Sequence, residues 1–147
     1  MDIVNIYTAT SIRTPKRRDG HIAYVLEYPI EPTPATLSKI APVQQMTEHQ
    51  ASLTAIIEAV KRMRKKCHLM IYTDSEYVAA AFTQGWIEQW VVKDWKTSTG
   101  KDVANREEWE NLLDLLGGNV FEFKVKEPHP YRNWMQRELE REDKEHV

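Results

Sequence analysis

His68-Leu69-Met70-Ile71-Tyr72-Thr73-Asp74-Ser75-Glu76-Tyr77 reads as a buried strand that turns into a helix through Thr-Asp-Ser. Leu69 to Tyr72 is a short apolar run of the kind found in a central strand. Glu76 to Phe82 follows as a short helix. A second stretch, Val4-Asn5-Ile6-Tyr7-Thr8-Ala9-Thr10-Ser11, reads as an N-terminal strand entering a turn. Ile3, Asn5 and Tyr7 fall on one face of it, and Val4, Ile6 and Thr8 on the other.

Between these two strands the pattern changes period. Arg13 to Gly20 is a turn with Pro15 and an Asp19-Gly20 hairpin signal, and His21 to Tyr28 returns as a strand. Pro29, Pro32 and Pro34 break it. Ala35 to Ile40 suits a short third strand ended by Pro42. Thr47 is positioned as the N-cap of an amphipathic helix over Glu48 to Met63, with Leu53, Ile56, Ile57 and Val60 at helical spacing. Beyond Asp74, helices are expected over Trp86 to Val92, from an Asn105 cap to Leu116, and over Tyr131 to Glu145. Gly117-Gly118 stops the second of these, and a last strand spans Val120 to Val125. A meander followed by strand–helix alternation implies an α/β fold: a mixed sheet with helices on its faces. No repeat or linker divides residues 1–147, which read as a single domain.

The chain's 147 residues can bury a core, and 41% hydrophobic with 29% charged residues is ordinary for a globular protein. No run reaches the roughly 18 apolar residues needed to span a bilayer, and no basic-then-apolar leader opens the chain. The lone Cys67 excludes an internal disulfide and a multi-cysteine metal cluster, and fits a cytoplasmic location. The net charge of −2 conceals two basic clusters: Arg13, Lys16, Arg17 and Arg18, then Lys61, Arg62, Arg64, Lys65 and Lys66. They form either one phosphate-facing patch or, in the second case, charge that complements a helix C-terminus.

The order of Ile6-Tyr7-Thr8-Ala9, Thr73-Asp74-Ser75, Trp86…Trp90…Trp95 and Asn105…Trp109 resembles the ribonuclease H type 1 family over nearly the whole chain. The resemblance implies a ribonuclease H-like fold with a mixed five-stranded sheet flanked by helices. It also implies cleavage of the RNA strand of RNA/DNA hybrids by two Mg²⁺ ions held by four carboxylates. Matched one by one, the first carboxylate is replaced by Ala9 and the second, five residues after Thr47, by Ser52. The third is Asp74, and the fourth, four residues after Asn133, falls on Arg137. A guanidinium about 4 Å from a divalent ion would oppose it by roughly 8 kcal/mol at an effective dielectric of 20. The expectation is a degenerate site holding at most one metal ligand, Asp74, with an Asp74–Arg137 ion pair in the metals' place. No cofactor is then needed. Mg²⁺ or Mn²⁺ would serve if the domain is active, with Glu48 as a relocated ligand one helical turn from Ser52.

His129, in Lys126-Glu127-Pro128-His129-Pro130, matches a mobile family histidine only loosely, and equally suits a surface position between prolines. Thr47, Ser75 and Asn105 match family positions, Thr47 and Asn105 those of a pocket for a DNA-strand phosphate, although Thr47 and Asn105 could also be helix caps. Gln45 stands where many members carry an arginine. Trp86 to Trp95 resembles the family's basic protrusion. There Trp86 and Trp90 either stack on nucleic acid or pack a subcore, and Lys93, Lys96, Arg17 and Arg18 are candidate phosphate contacts. The expected partner is RNA/DNA hybrid or another duplex, read by shape. The alternatives are an active nuclease with moved ligands and a protein-interaction platform suggested by the acidic C-terminal helix.

Overall fold

In the computed structural model, which describes residues 1–145, five strands form one sheet in the order β3-β2-β1-β4-β5. The strands are β1 (Ile3–Thr10), β2 (Arg18–Tyr28), β3 (Ala35–Met46), β4 (His68–Thr73) and β5 (Val120–Val125). The helices are α1 (Glu48–Val60), α2 (Glu76–Thr83), α3 (Trp86–Val92), α4 (Arg106–Leu116) and α5 (Arg132–Glu145). β1 pairs antiparallel with β2 and parallel with β4, and β5 extends the sheet parallel to β4. This is the mixed five-stranded α/β architecture expected from the sequence. Among the described residues, no helix is long and apolar enough to cross a membrane.

Alternation along β1 divides the core in two. Val4 and Ile6 join Leu53, Ile56, Leu69, Ile71, Trp109 and Leu112 in the large cluster beneath α1 and α4. Tyr7 turns to the other face and meets Ala23, Val25, Met135 and Leu139 under α5. The i, i+4 pair Met135 and Leu139 therefore defines the inner stripe of α5.

Helix α1 ends at Val60, three residues before the expected Met63, and two turn signals also lie differently from expectation. Asp19-Gly20 is not a hairpin turn: it lies inside β2, with a register irregularity between Arg18 and Gly20. Gly20 is required there by crowding, since a Cβ would come within 2.7 Å of the Ile12 side chain. Nor does Pro42 end β3. The strand runs on to Met46, with Pro42 opposite His21, because an edge strand leaves half of its N–H groups without a neighbour to bond.

A buried carboxylate pins α5 to the sheet. Glu27 of β2 is 8% exposed and accepts from Asn5 Nδ2 (3.0 Å), Tyr7 OH (3.2 Å) and Tyr131 OH (2.5 Å). Burial raises its pKa, but the three donors more than offset this and hold it below its ordinary value. Tyr131, just before α5, is in turn pushed up to about 12 by its bond to Glu27. Removing that hydroxyl in Tyr131→Phe is expected to cost about 2 kcal/mol in urea unfolding, the scale of a hydrogen bond to a charged group. An unchanged midpoint would show that the other two donors suffice.

Candidate functional site

The parallel register that sets Ile6 beside Ile71 and Tyr7 beside Tyr72 carries both strands to the same end of the sheet. Ala9 near the end of β1 and Asp74 just past β4 consequently line one cleft. On one side the cleft is closed by Glu48 and Ser52 of α1. On the other it is closed by His129, Arg132 and Gln136, from α5 and the loop before it. Arg13 borders both sides.

The expected Asp74–Arg137 ion pair is replaced by another. Arg132 donates through Nη1 to Asp74 Oδ2 at 2.9 Å and through Nη2 to the Glu127 carbonyl at 2.9 Å. Arg137 is exposed, and Gln136 borders the cleft in its stead. Helical geometry gives the reason. With Met135 and Leu139 buried, position 136 lies about 100° from Met135 on the flank, whereas position 137 lies about 200° round and faces solvent. The Met135/Leu139 stripe is the signal in the sequence that indicates which residue of α5 borders the cleft. Asp74 and Arg132 have side chains 43% and 35% exposed, so their pair contributes no more than about 1 kcal/mol to stability.

His129 is held rather than loose. Its ring lies 4.5 Å from that of Tyr7 and 5.6 Å from that of Tyr72, and its Nδ1 accepts from the Tyr131 backbone N–H at 3.2 Å. Burial, and then the nearby Arg132 charge, lower its pKa to about 4, against a smaller opposing effect of Asp74. It is a neutral imidazole at pH 7. Among the described residues, no three His, Cys, Asp or Glu side chains are grouped so that they could hold a metal ion.

The binding candidates divide. Thr47 caps α1, accepting from Gln50 N at 3.2 Å, and Ser75 caps α2, accepting from Val78 N at 3.2 Å. Asn105 was expected to cap α4 through its side chain, but it makes no such bond and instead adopts a left-handed backbone with φ of 62°. Beside it, Gln50 Nε2 of α1 reaches Glu108 Oε1 of α4 at 3.0 Å. Trp86 and Trp90 pack rather than project. Trp90 lies 5.8 Å from Trp95 and 5.4 Å from Trp109, and Trp86 lies 6.0 Å from Tyr77. Lys96 pairs with Asp102 at 2.6 Å, whereas Lys93 is exposed. Arg17 bonds the Gln45 carbonyl and Gln50, and Arg18 bonds the Ser11 carbonyl and Asp143, so both serve the turn's own structure.

The RNase H family model matches residues 1–132. The chain belongs to the RNase H family. A ribonuclease H from Chlorobium luteolum is 38% identical over 90 residues, which is 59% of this chain and 62% of the relative's length. Among solved structures, LC9-RNase H1, a type 1 RNase H with the type 2 active-site motif, superposes with a TM-score of 0.77 at 18% identity. That match covers 93% of this chain and 70% of the other. A foamy viral protease-reverse transcriptase in complex with RNA/DNA hybrid gives a TM-score of 0.66 at 17% identity, over 94% of this chain and 19% of the other. At such identities the superpositions speak to the RNase H fold alone.

Because His129 binds a proton less readily folded than unfolded, it works against stability in acid. Its contribution is complete above the unfolded pKa of about 6.5 and is lost as pH falls toward 4. His129→Gln should flatten that part of the stability profile between pH 6.5 and 4 relative to the parent, as read by urea midpoints. Parallel profiles for the two proteins would refute the assignment.

Proposed function

We propose that this RNase H-like domain binds RNA/DNA hybrid or a related duplex and holds it without efficient cleavage. The observation that carries the reading is the composition of the cleft. Ala9, Ser52 and Gln136 contribute no charge there, and the two carboxylates bordering it, Asp74 and Glu48, are equalled in number by the guanidiniums of Arg132 and Arg13. Two divalent ions need oxygen ligands whose negative charge offsets their own. This donor set does not fit them. Family membership and a fold shared with a protein seen in complex with RNA/DNA hybrid support the choice of partner. Thr47, Asn105 and Lys93 are the residues best placed to meet backbone phosphates.

A second reading is an active ribonuclease H with moved ligands. It is favoured by Glu48, which borders the same cavity as Asp74, and by relatives that are themselves named ribonuclease H. A labelled RNA/DNA hybrid with Mg²⁺ or Mn²⁺, followed at once for cleavage and for gel retardation, separates the two. Retardation of intact hybrid is the expected result. Metal-dependent cleavage that disappears in Asp74→Asn would establish the second reading.

A further inference from the structure

Arg13 lies between β1 and β2 and borders the cleft. It is exposed, it borders both sides of the cleft, and it also borders a third hollow formed with Gln136, Glu140 and Lys144. Among the described residues, no ion pair or hydrogen bond engages its guanidinium. Its neighbours in the chain are nevertheless fixed. The Ile12 side chain is fully buried and its N–H donates to Thr10 Oγ1 at 3.1 Å. The Thr14 carbonyl accepts from Glu48 N at 3.0 Å. The backbone on either side of Arg13 is therefore tied to β1 and α1, and the side chain is presented at the cleft by a short anchored arch.

An unengaged guanidinium beside an opening the size of a few atoms repels cations and attracts anions. Arg132 lines the same cavity as Arg13 and Asp74, with Nη1 on the half-exposed Asp74 carboxylate and Nη2 on the Glu127 carbonyl. A phosphate has the geometry to take an arginine fork bidentately, which makes Arg a preferred phosphate ligand. Against it stand Glu48 and Asp74, which an entering anion must face, and Glu140 at the outer rim. Asp143 is already committed to His21, Ser11 and Arg18.

We infer that the cleft takes a backbone phosphate of the bound duplex directly on Arg13, with Arg132 in support, so that arginine stands in for metal ions in gripping nucleic acid. The inference rests on the duplex-binding reading above. Three consequences separate it from a metal-bridged grip: binding is independent of divalent ions, it weakens without Arg13, and it tightens when Asp74 loses its charge. Neutralising Asp74 removes repulsion and loosens the Arg132 Nη1 group for the phosphate, while Nη2 stays on the Glu127 carbonyl.

The test is fluorescence anisotropy of a labelled RNA/DNA hybrid in EDTA over a range of KCl concentrations. The proteins compared are the parent, Arg13→Ala, Arg13→Lys and Asp74→Asn. Arg13→Ala is expected to weaken binding about fivefold to tenfold and to lower the log–log salt slope by about 0.9, the signature of one lost phosphate contact. Arg13→Lys should restore part of the affinity, and Asp74→Asn should tighten binding several-fold. Because Arg13 is exposed and unengaged, its variants should match the parent in circular dichroism. If the parent binds hybrid but Arg13→Ala retains its affinity and salt slope, or if Asp74→Asn weakens binding in EDTA, the phosphate site is overturned and the duplex-binding reading stands. If the parent fails to bind hybrid at all, both fall.

Discussion

The parallel pairing of β1 with β4 is the constraint on which the rest of the molecule depends. Parallel neighbours finish at the same edge of a sheet, so the pairing of Ile3–Tyr7 with His68–Tyr72 brings Ala9 and Asp74 together although 64 positions separate Thr8 from Tyr72. The Thr8 hydroxyl donates to the Tyr72 carbonyl at 2.8 Å and closes that junction. A parallel connection also requires a crossover, and α1 supplies it, packing on β1 and β2 and placing Glu48 and Ser52 at the cleft. Ligands of open α/β sheets collect at such carboxyl ends of parallel strands.

The third wall of the cleft depends on a different kind of force. α5 has a thin apolar stripe, with Met135 and Leu139 as its buried residues. Polar bonds complete its attachment. Glu27 holds Tyr131 at one end, and Asp143 near the other meets His21 at 2.6 Å and Ser11 at 3.0 Å. Both carboxylates have lowered pKa values: burial opposes the charged form, and the surrounding donors outweigh it. Such anchoring fixes the helix in rotation as well as position. Rotation decides whether Gln136 or Arg137 faces the cleft, so the chemistry of that wall is set by hydrogen bonds some distance from it.

Much of this was legible in the chain. The apolar run at Leu69–Tyr72 and the alternation at Ile3–Thr8 lead to two neighbouring strands, and the spacing of Leu53, Ile56, Ile57 and Val60 leads to α1. Ala9, Ser52, Glu48 and Asp74 do line one cavity, as their placement in the motifs implies. The Arg132 partner was not legible, because motif counting follows sequence distance whereas α5 is oriented by its buried stripe and its polar anchors. Pro42 and Asp19-Gly20 misled for a related reason: local turn chemistry yields when a strand lies at an edge or bends around a packed side chain such as Ile12. The fate of the tryptophans depended on tertiary contacts that spacing alone does not distinguish, since residues four and five apart can share a helix face for either purpose.

The tolerated proline in β3 has a consequence for the molecule in company. β3 is the sheet's longest strand at 12 residues, and it lies at the margin with much of its length exposed. A strand of that kind offers its unpaired backbone as a template on which a second chain could crystallise into an extended sheet. Lys39 and Pro42 interrupt the template midway, one with a charge that resists desolvation and the other with a missing donor. The proline that makes β3 look too weak to be a long strand thus also makes its open edge a poor place for another strand to add.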